Sequence, residues 1–336
     1  VPAGAAEAPP ADGEIERSPD GQYCRFAELL GTGAFKRVYK GMDLSTGIEI
    51  AWGVIELDRT IVDIKQLQRE IKILSRITHP NILKFYKSYI NEEKMQAVFI
   101  TECMTSGTLK QFLHIKSSSQ KGRRPKLKVI KNWCRQVLRG LHYLHSREPP
   151  IIHRDIKGDN IFLSHGGVVK IGDLGLATNV SMSKRALSVI GTPHFMAPEV
   201  YDEHYTEKAD IWAFGMTMLE MLTGQIPYSE CDNNIQIMRK AVDYVLPRAY
   251  QLVAAPDVRR VLLACFAPFD QRHSAADLLA LDFFAEPPPD APVAPSDNKP
   301  VVLLSLPADA PYVNVADALK QLDAGLAGAD GLGGGG

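Results

Sequence analysis

His153-Arg154-Asp155-Ile156-Lys157-Gly158-Asp159-Asn160 is the stretch on which the reading of this 336-residue chain turns. It sets carboxylates at Asp155 and Asp159, an ammonium at Lys157 and a carboxamide at Asn160 within six positions. Downstream come Asp173-Leu174-Gly175 and then Ala197-Pro198-Glu199; upstream lies Gly31-Thr32-Gly33-Ala34-Phe35-Lys36-Arg37-Val38. Paired glycines let backbone amides approach phosphates that a Cβ would hold away. That signal is weak alone. Followed in order by the other three motifs, it is not a chance combination.

Outward from these motifs, the chain divides by periodicity. Arg25–Leu30, Arg37–Lys40 and Ile48–Trp52 read as short strands separated by Gly-rich or Ser-Thr-Gly turns. Ile64, Leu67, Ile71, Leu74 and Ile77 follow close to helical spacing, and His79-Pro80-Asn81 ends that helix. Two more strands are predicted over 82–89 and 96–101, after which helical patterning dominates from Leu109 to Phe284. Val129 to Leu144 is amphipathic, and Ile211 to Leu222 is apolar nearly all round, as a central buried helix would be. The expected fold class is α+β: a bilobal fold with a small β-rich lobe carrying one major helix and a larger α-helical lobe.

The expected organisation is a disordered leader over 1–22, a catalytic domain over 23–286 with lobes over about 23–103 and 104–286, and a Pro-rich linker over 287–300. The linker holds six prolines in fourteen positions, a composition of extended, semi-rigid chain. Beyond it, Val301–Leu304 could be a strand, and Val315, Ala318, Leu319 and Leu322 follow Asn314 with helical spacing and an N-cap. The Gly-rich end over 327–336 is expected to be disordered. The basic, Ser-rich run from Lys116 to Lys128 reads as a solvated loop before a helix.

Composition narrows the partners. Apolar residues are 45% and charged residues 23%, which excludes bulk disorder, and a formal net charge of −1 supplies no field toward nucleic acid or anionic membrane. No apolar run approaches the roughly 18 residues that span a bilayer, so no membrane insertion is expected. Five cysteines without CxxC spacing signal neither disulfides nor zinc and suit a reducing cytosol or nucleus, hence a cytoplasmic expectation. A first residue of Val rather than Met suits a fragment or processed form.

Taken together, the four motifs resemble the eukaryotic protein kinases over roughly residues 25–286. The resemblance implies ATP and Mg2+ as cofactors and protein substrates with Ser/Thr acceptors. Asp155 would orient the acceptor hydroxyl and take its proton, Lys157 would contact the transferred phosphate, and Asn160 and Asp173 would ligate magnesium. Lys157, with Gly191-Thr192-Pro193, points to the serine/threonine branch. Gly31, Gly33, Ala34, Val38, Thr101, Glu102, Cys103 and Met104 are the implied nucleotide-binding positions. Asp210 and an Arg272–Glu199 pair match positions that hold the catalytic loop.

One part is missing. The third strand of such kinases normally reads Ala-x-Lys, but here it is Ala51-Trp52-Gly53. Loss of that lysine would suggest a catalytically silent nucleotide-binding scaffold. Lys36 argues against this: it stands two residues before Val38, and side chains two apart on a strand share a face. Its flexible stem could supply the ammonium from the second strand, with Gly53 leaving room and Glu70 as partner on the helix. A solvated lysine at a loop tip is the other reading.

This lysine arrangement resembles the WNK, or "with no lysine", kinases. Val38–Gly41, Met104–Lys110, Ile171–Thr178 and Val189–Pro193 look like sequence of that family. Cysteine is frequent there where Gly53 stands and glutamate where His194 stands; the latter puts substrate preference in doubt. The resemblance implies activating autophosphorylation at Ser188, downstream Ste20-type kinases as partners, and self-association for phosphorylation in trans. It also implies an inhibitory chloride site at Phe85, Phe99, Leu174 and Leu176, which plain apolar packing would equally explain. Residues 301–326 vaguely suit that family's regulatory and peptide-docking module; an unrelated tail is the alternative.

Overall fold

The computed structural model describes residues 13–33, 36–57, 64–114, 125–164, 166–174, 193–202, 206–286, 303–307 and 309–330. The chain forms two compact units, one of Val1–Thr105 with Asp173–Ser188, the other of Ser106–Gly172 with Val189–Gly336.

The first unit is built on a six-stranded antiparallel sheet in the order β1-β2-β3-β4-β6-β5. Its strands are β1 (Glu14–Arg17), β2 (Tyr23–Thr32), β3 (Lys36–Asp43), β4 (Glu49–Glu56), β5 (Phe85–Asn91) and β6 (Gln96–Glu102). Alternation along β4 and β6 divides the apolar side chains between the two faces. Ile50, Trp52, Val54, Val98 and Ile100 pack with Tyr23 on one face. Ile55, Ala97 and Phe99 pack on the other under α1 (Ile64–Leu74), which contributes Leu67 and Ile71 one turn apart. Register then fixes which residues join Phe99 on the α1 face: Lys36 opposes Ile55, Val38 opposes Gly53, and Gly53 opposes Phe99.

Strand β1 corrects the expectation of an unstructured leader through residue 22. Glu14, Glu16 and Arg17 pair with Phe26, Arg25 and Cys24, and Glu16 takes an ion pair from Arg25 at 2.8 Å. Its own residues, Glu14-Ile15-Glu16-Arg17, are mostly charged and show no strand pattern by themselves; the pairing with β2 is what holds them.

The second unit is helical around α4 (Glu207–Thr223), which is buried on every side, as its all-round apolar sequence predicts. Thr206 caps its N-terminus by accepting from Lys208 N at 3.2 Å, and Gly224 ends it in a left-handed conformation at φ 69°. A Cβ on Gly215 would lie 2.6 Å from Cys265 Cβ, so glycine sets the close approach of α7 (Pro256–Phe266). The remaining elements are α2 (Leu109–His114), α3 (Leu127–His145), the β7–β8 hairpin (Ile161–Leu163, Val169–Ile171), α5 (Asn234–Val242), α6 (Arg248–Leu252), α8 (Ala275–Leu279) and α9 (Val315–Asp330). Arg272, fully buried, donates to Glu199 through both terminal nitrogens, one bond measuring 3.0 Å. The expected pair is therefore present, and the same guanidinium holds the Ala267 and Lys208 carbonyls. Among the described residues no helix is long and apolar enough to cross a membrane.

Candidate active site

In the second unit the segment from Ile151 to Asn160 joins α3 to β7, and one buried carboxylate shapes it. Asp210, in the first turn of α4 and 1% exposed, accepts from His153 N at 2.8 Å, Arg154 N at 2.7 Å and His145 Nε2 at 2.8 Å. Burial alone would raise its pKa, but the bond and charge of His145 and then His153 draw it below the usual carboxylate range. The Arg154 backbone is thereby held at φ 68°, a left-handed conformation that an arginine adopts only when its surroundings impose it.

Beyond this bend two side chains bond to Asp155. Lys157 Nζ donates to Asp155 Oδ1 at 2.9 Å, and Asn160 Nδ2 donates to Asp155 Oδ2 and to Asp155 O, both at 2.8 Å. With its NH2 group so used, Asn160 keeps its carboxamide oxygen for a cation. His153 accepts from Asp155 N through Nδ1 at 3.3 Å and donates from Nε2 to Gly172 O at 2.8 Å, which tethers the loop to the end of β8. Gly172 N donates to Asn160 O at 2.8 Å across the base of the hairpin. Asp173 itself sits at φ 55°.

Sequence reasoning missed a second shell of charge here. A Cβ on Gly158 would lie 3.2 Å from Lys110 Cβ, so α2 rests against the 3-10 turn Gly158–Asn160, and Lys110 Nζ bonds both Asp159 oxygens at 2.9 and 3.1 Å. His114 Nε2 meets Glu220 Oε1 at 2.8 Å. Glu220 is 2% exposed, and burial first, then Asp159, raise its pKa against the opposing influence of His114. A lone carboxylate inside an otherwise apolar helix was the available signal.

In the first unit, Gly31 ends β2 and Gly33 N donates to Lys36 O at 2.7 Å, closing the turn; Ala34 lies outside the described residues. Among the described residues, a Cβ on Gly31 would meet no atom within 4 Å, and its φ is not in the left-handed region. The Lys36 side chain runs over Gly53: a Cβ there would lie 2.8 Å from Lys36 Cε and 3.6 Å from Nζ. Lys36 Nζ forms an ion pair with Asp173 Oδ1. Thr101 pairs with Ala51 across β4 and β6, Glu102 Oε1 accepts from Lys84 N at 2.6 Å, and Cys103 and Met104 follow, half-buried. Burial raises the Cys103 thiol pKa, so it stays protonated at neutral pH.

Other expected site residues are only partly described. Glu70 lies in α1, but its side chain is outside the described set, as are Leu176 and Ser188 entirely. Phe85 and Phe99 are together, ring centroids 6.1 Å apart, with Phe99 buried; Leu174 is half-buried. Among the described residues no group of three His, Cys, Asp or Glu could hold a metal alone. Asn160 in the second unit and Asp173 in the first each carry an oxygen of the kind that binds magnesium, an ion that takes its other ligands from water and substrate phosphates.

A β-sheet unit with a Gly-rich turn, followed by a helical unit whose loop gathers Asp155, Lys157 and Asn160, defines a protein kinase. Residues 24–284 match the protein kinase domain family, and the chain belongs to it. Within that family it is similar to the WNK serine/threonine kinases. It is 46% identical over 275 residues to the probable serine/threonine-protein kinase WNK4 of Arabidopsis thaliana, covering 81% of this chain and 47% of the relative. It is 47% identical over 278 residues to the serine/threonine-protein kinase WNK3 of Mus musculus, covering 81% of this chain and 15% of the relative. The chain thus spans less than half the length of either.

Proposed function

We propose that this chain transfers the γ-phosphoryl group of ATP to Ser/Thr hydroxyls of proteins, with Lys36 replacing the cation absent from β4. The observation that carries this reading is the Lys36 side chain lying over Gly53, its ammonium paired with Asp173. Every longer side chain at 53 would contest that space.

Magnesium-bound ATP supplies the transferable group and a divalent charge. Asp155 orients the acceptor hydroxyl and takes its proton, while Lys157, tethered to Asp155 Oδ1, puts a positive charge beside the transferred group. Asn160, fixed by two bonds to Asp155, and Asp173 would hold the metal. The Gly31 and Gly33 turn and Val38 cover the nucleotide, whose adenine edge meets the Thr101–Met104 segment. Lys36 adds the second cation, with Glu70 orienting it.

The close similarity to WNK kinases supports the regulatory part. Ser188 is the activating autophosphorylation position, modified in trans by a second copy, and Arg154 receives its phosphate. Chloride binds at Phe85, Phe99, Leu174 and Leu176 and suppresses that step. Ste20-type kinases are the downstream substrates, and the protein works in the cytoplasm.

The test is incubation with magnesium-ATP and a generic Ser/Thr acceptor protein for wild type, Lys36→Met and Gly53→Lys. Activity in the wild type and its loss in Lys36→Met are expected; an inactive wild type would leave the chain a nucleotide-binding scaffold. Ser188→Ala is expected to lower activity. Chloride at matched ionic strength is expected to slow autophosphorylation, and equal rates with and without it would remove the chloride site.

A further inference from the structure

The kinase family match ends at residue 284, yet the second unit draws part of its core from beyond it. Val315 and Ala318 are each 2% exposed and belong to the main apolar cluster around α4, with Val313 and Leu322 packed against it. The seat they occupy is made by the segment after α5, by α6 and by α7.

This seat reads a peptide in two ways. Toward the extended part of the tail it presents backbone and side-chain hydrogen bonds that any sequence could satisfy. Leu304 N donates to Leu252 O at 2.7 Å, Leu246 N to Val313 O at 2.9 Å, and Val315 N to Tyr244 O at 3.0 Å. Arg248 Nη2 donates to Pro307 O at 3.3 Å and Ala310 O at 3.0 Å, and Gln251 Nε2 to Pro311 O at 2.8 Å. Selectivity comes from side chains. The Tyr312 ring sits 3.5 Å from Lys240 Nζ and 5.6 Å from the Arg248 guanidinium carbon, a double cation–π contact. After it, Asn314 accepts from Asp317 N at 2.9 Å and starts α9, whose Val315 and Ala318 enter the core. Main-chain bonds along an extended stretch, followed by an amphipathic helix in an apolar groove, combine two recurrent modes of peptide recognition.

Between residue 286 and this segment lies the stretch with six prolines in fourteen positions, a composition of tether rather than packed element. We propose that the surface formed by Tyr244–Leu246, α6 and α7 is a peptide-docking groove whose ligand is the chain's own residues 303–322. The roles expected from sequence are thereby exchanged: the tail is the bound peptide, and the docking surface lies on the helical unit. Val315, Ala318 and Leu322 are the side chains of α9 that pack into the seat. A short tether holds its ligand at an effective concentration on the order of millimolar. Closure in more than nine molecules of ten therefore needs a dissociation constant in trans below about 100 µM. The inference rests on packing and not on the catalytic reading.

The experiment introduces a specific protease site within residues 290–297 of the full chain, so that the folded protein can be cut without altering groove or tail. Before cutting, a fluorescein-labelled peptide of residues 301–326 is expected not to bind. After cutting, the released fragment is expected to co-elute at high protein concentration, and the labelled peptide to replace it with a dissociation constant below about 100 µM. Arg248→Ala is expected to weaken that binding at least fivefold. Labelled peptide bound equally by uncut protein would mean the groove is not closed by the tail. A fragment that leaves on cutting with no peptide captured would mean the groove is no docking surface, and one that never exchanges short of denaturation would make the tail ordinary core; each overturns the proposal.

Discussion

At the residue scale, Gly53 and Lys36 form a reciprocal pair. Because Lys36 Cε already lies 2.8 Å from a Cβ at 53, Gly53→Ala needs only a small shift of a flexible stem, whereas Gly53→Leu would displace the ammonium. We expect Gly53→Ala to retain most activity, Gly53→Leu to lose about tenfold, and Lys36→Met to lose about 10²–10³-fold in kcat, read in steady-state assays. Asp210 makes a second case. Its folded-state pKa is depressed, so it contributes stability above its ordinary value, and that contribution disappears as pH falls through the folded value. Thermal stability should drop more steeply below about pH 4 in wild type than in Asp210→Asn. At neutral pH the variant should be less stable by about 2–4 kcal/mol, since three donors lose a charged acceptor.

Among the elements, α4 carries the other exposed cost of burial. Glu220 has a raised pKa, so the sign is opposite: its contribution is present below the unfolded value and is lost as pH rises through the folded one. Glu220→Gln keeps an acceptor for His114 and has no charge to bury. Scanning calorimetry should find it more stable than wild type by about 1–2 kcal/mol at pH 8 and equal near pH 4. Elements also mark what was legible. The strand alternation of β4 and β6, the apolar run of α4 and the Asn314 start of α9 follow from periodicity and capping. Strand β1 did not, because it pairs with Cys24, Arg25 and Phe26 across a turn and its own residues show no apolar alternation.

For the whole molecule, the residues proposed for the site fall in both units: Gly31, Gly33, Lys36 and Asp173 belong to the first, and Asp155, Lys157 and Asn160 to the second. A nucleotide that binds only folded protein stabilises it by mass action, about 2.7 kcal/mol at a hundredfold excess over Kd. Magnesium-ATP should therefore raise the melting temperature of wild type by about 5–10 °C, and that of Lys36→Met by less than half as much.

Sequence by itself determined the motifs and their order, the β-then-α organisation, and the strand face that Lys36 shares with Val38, since these follow from residue chemistry and from the period of two. Tertiary structure alone decided what each group meets. The bonding of Asp210 to His153 and Arg154, the carboxamide direction of Asn160, the Lys110–Asp159 and His114–Glu220 pairs, and the burial of Val315 and Ala318 join residues far apart along the chain. No local pattern encodes such contacts, because their energies depend on burial and on partners that only folding brings within reach.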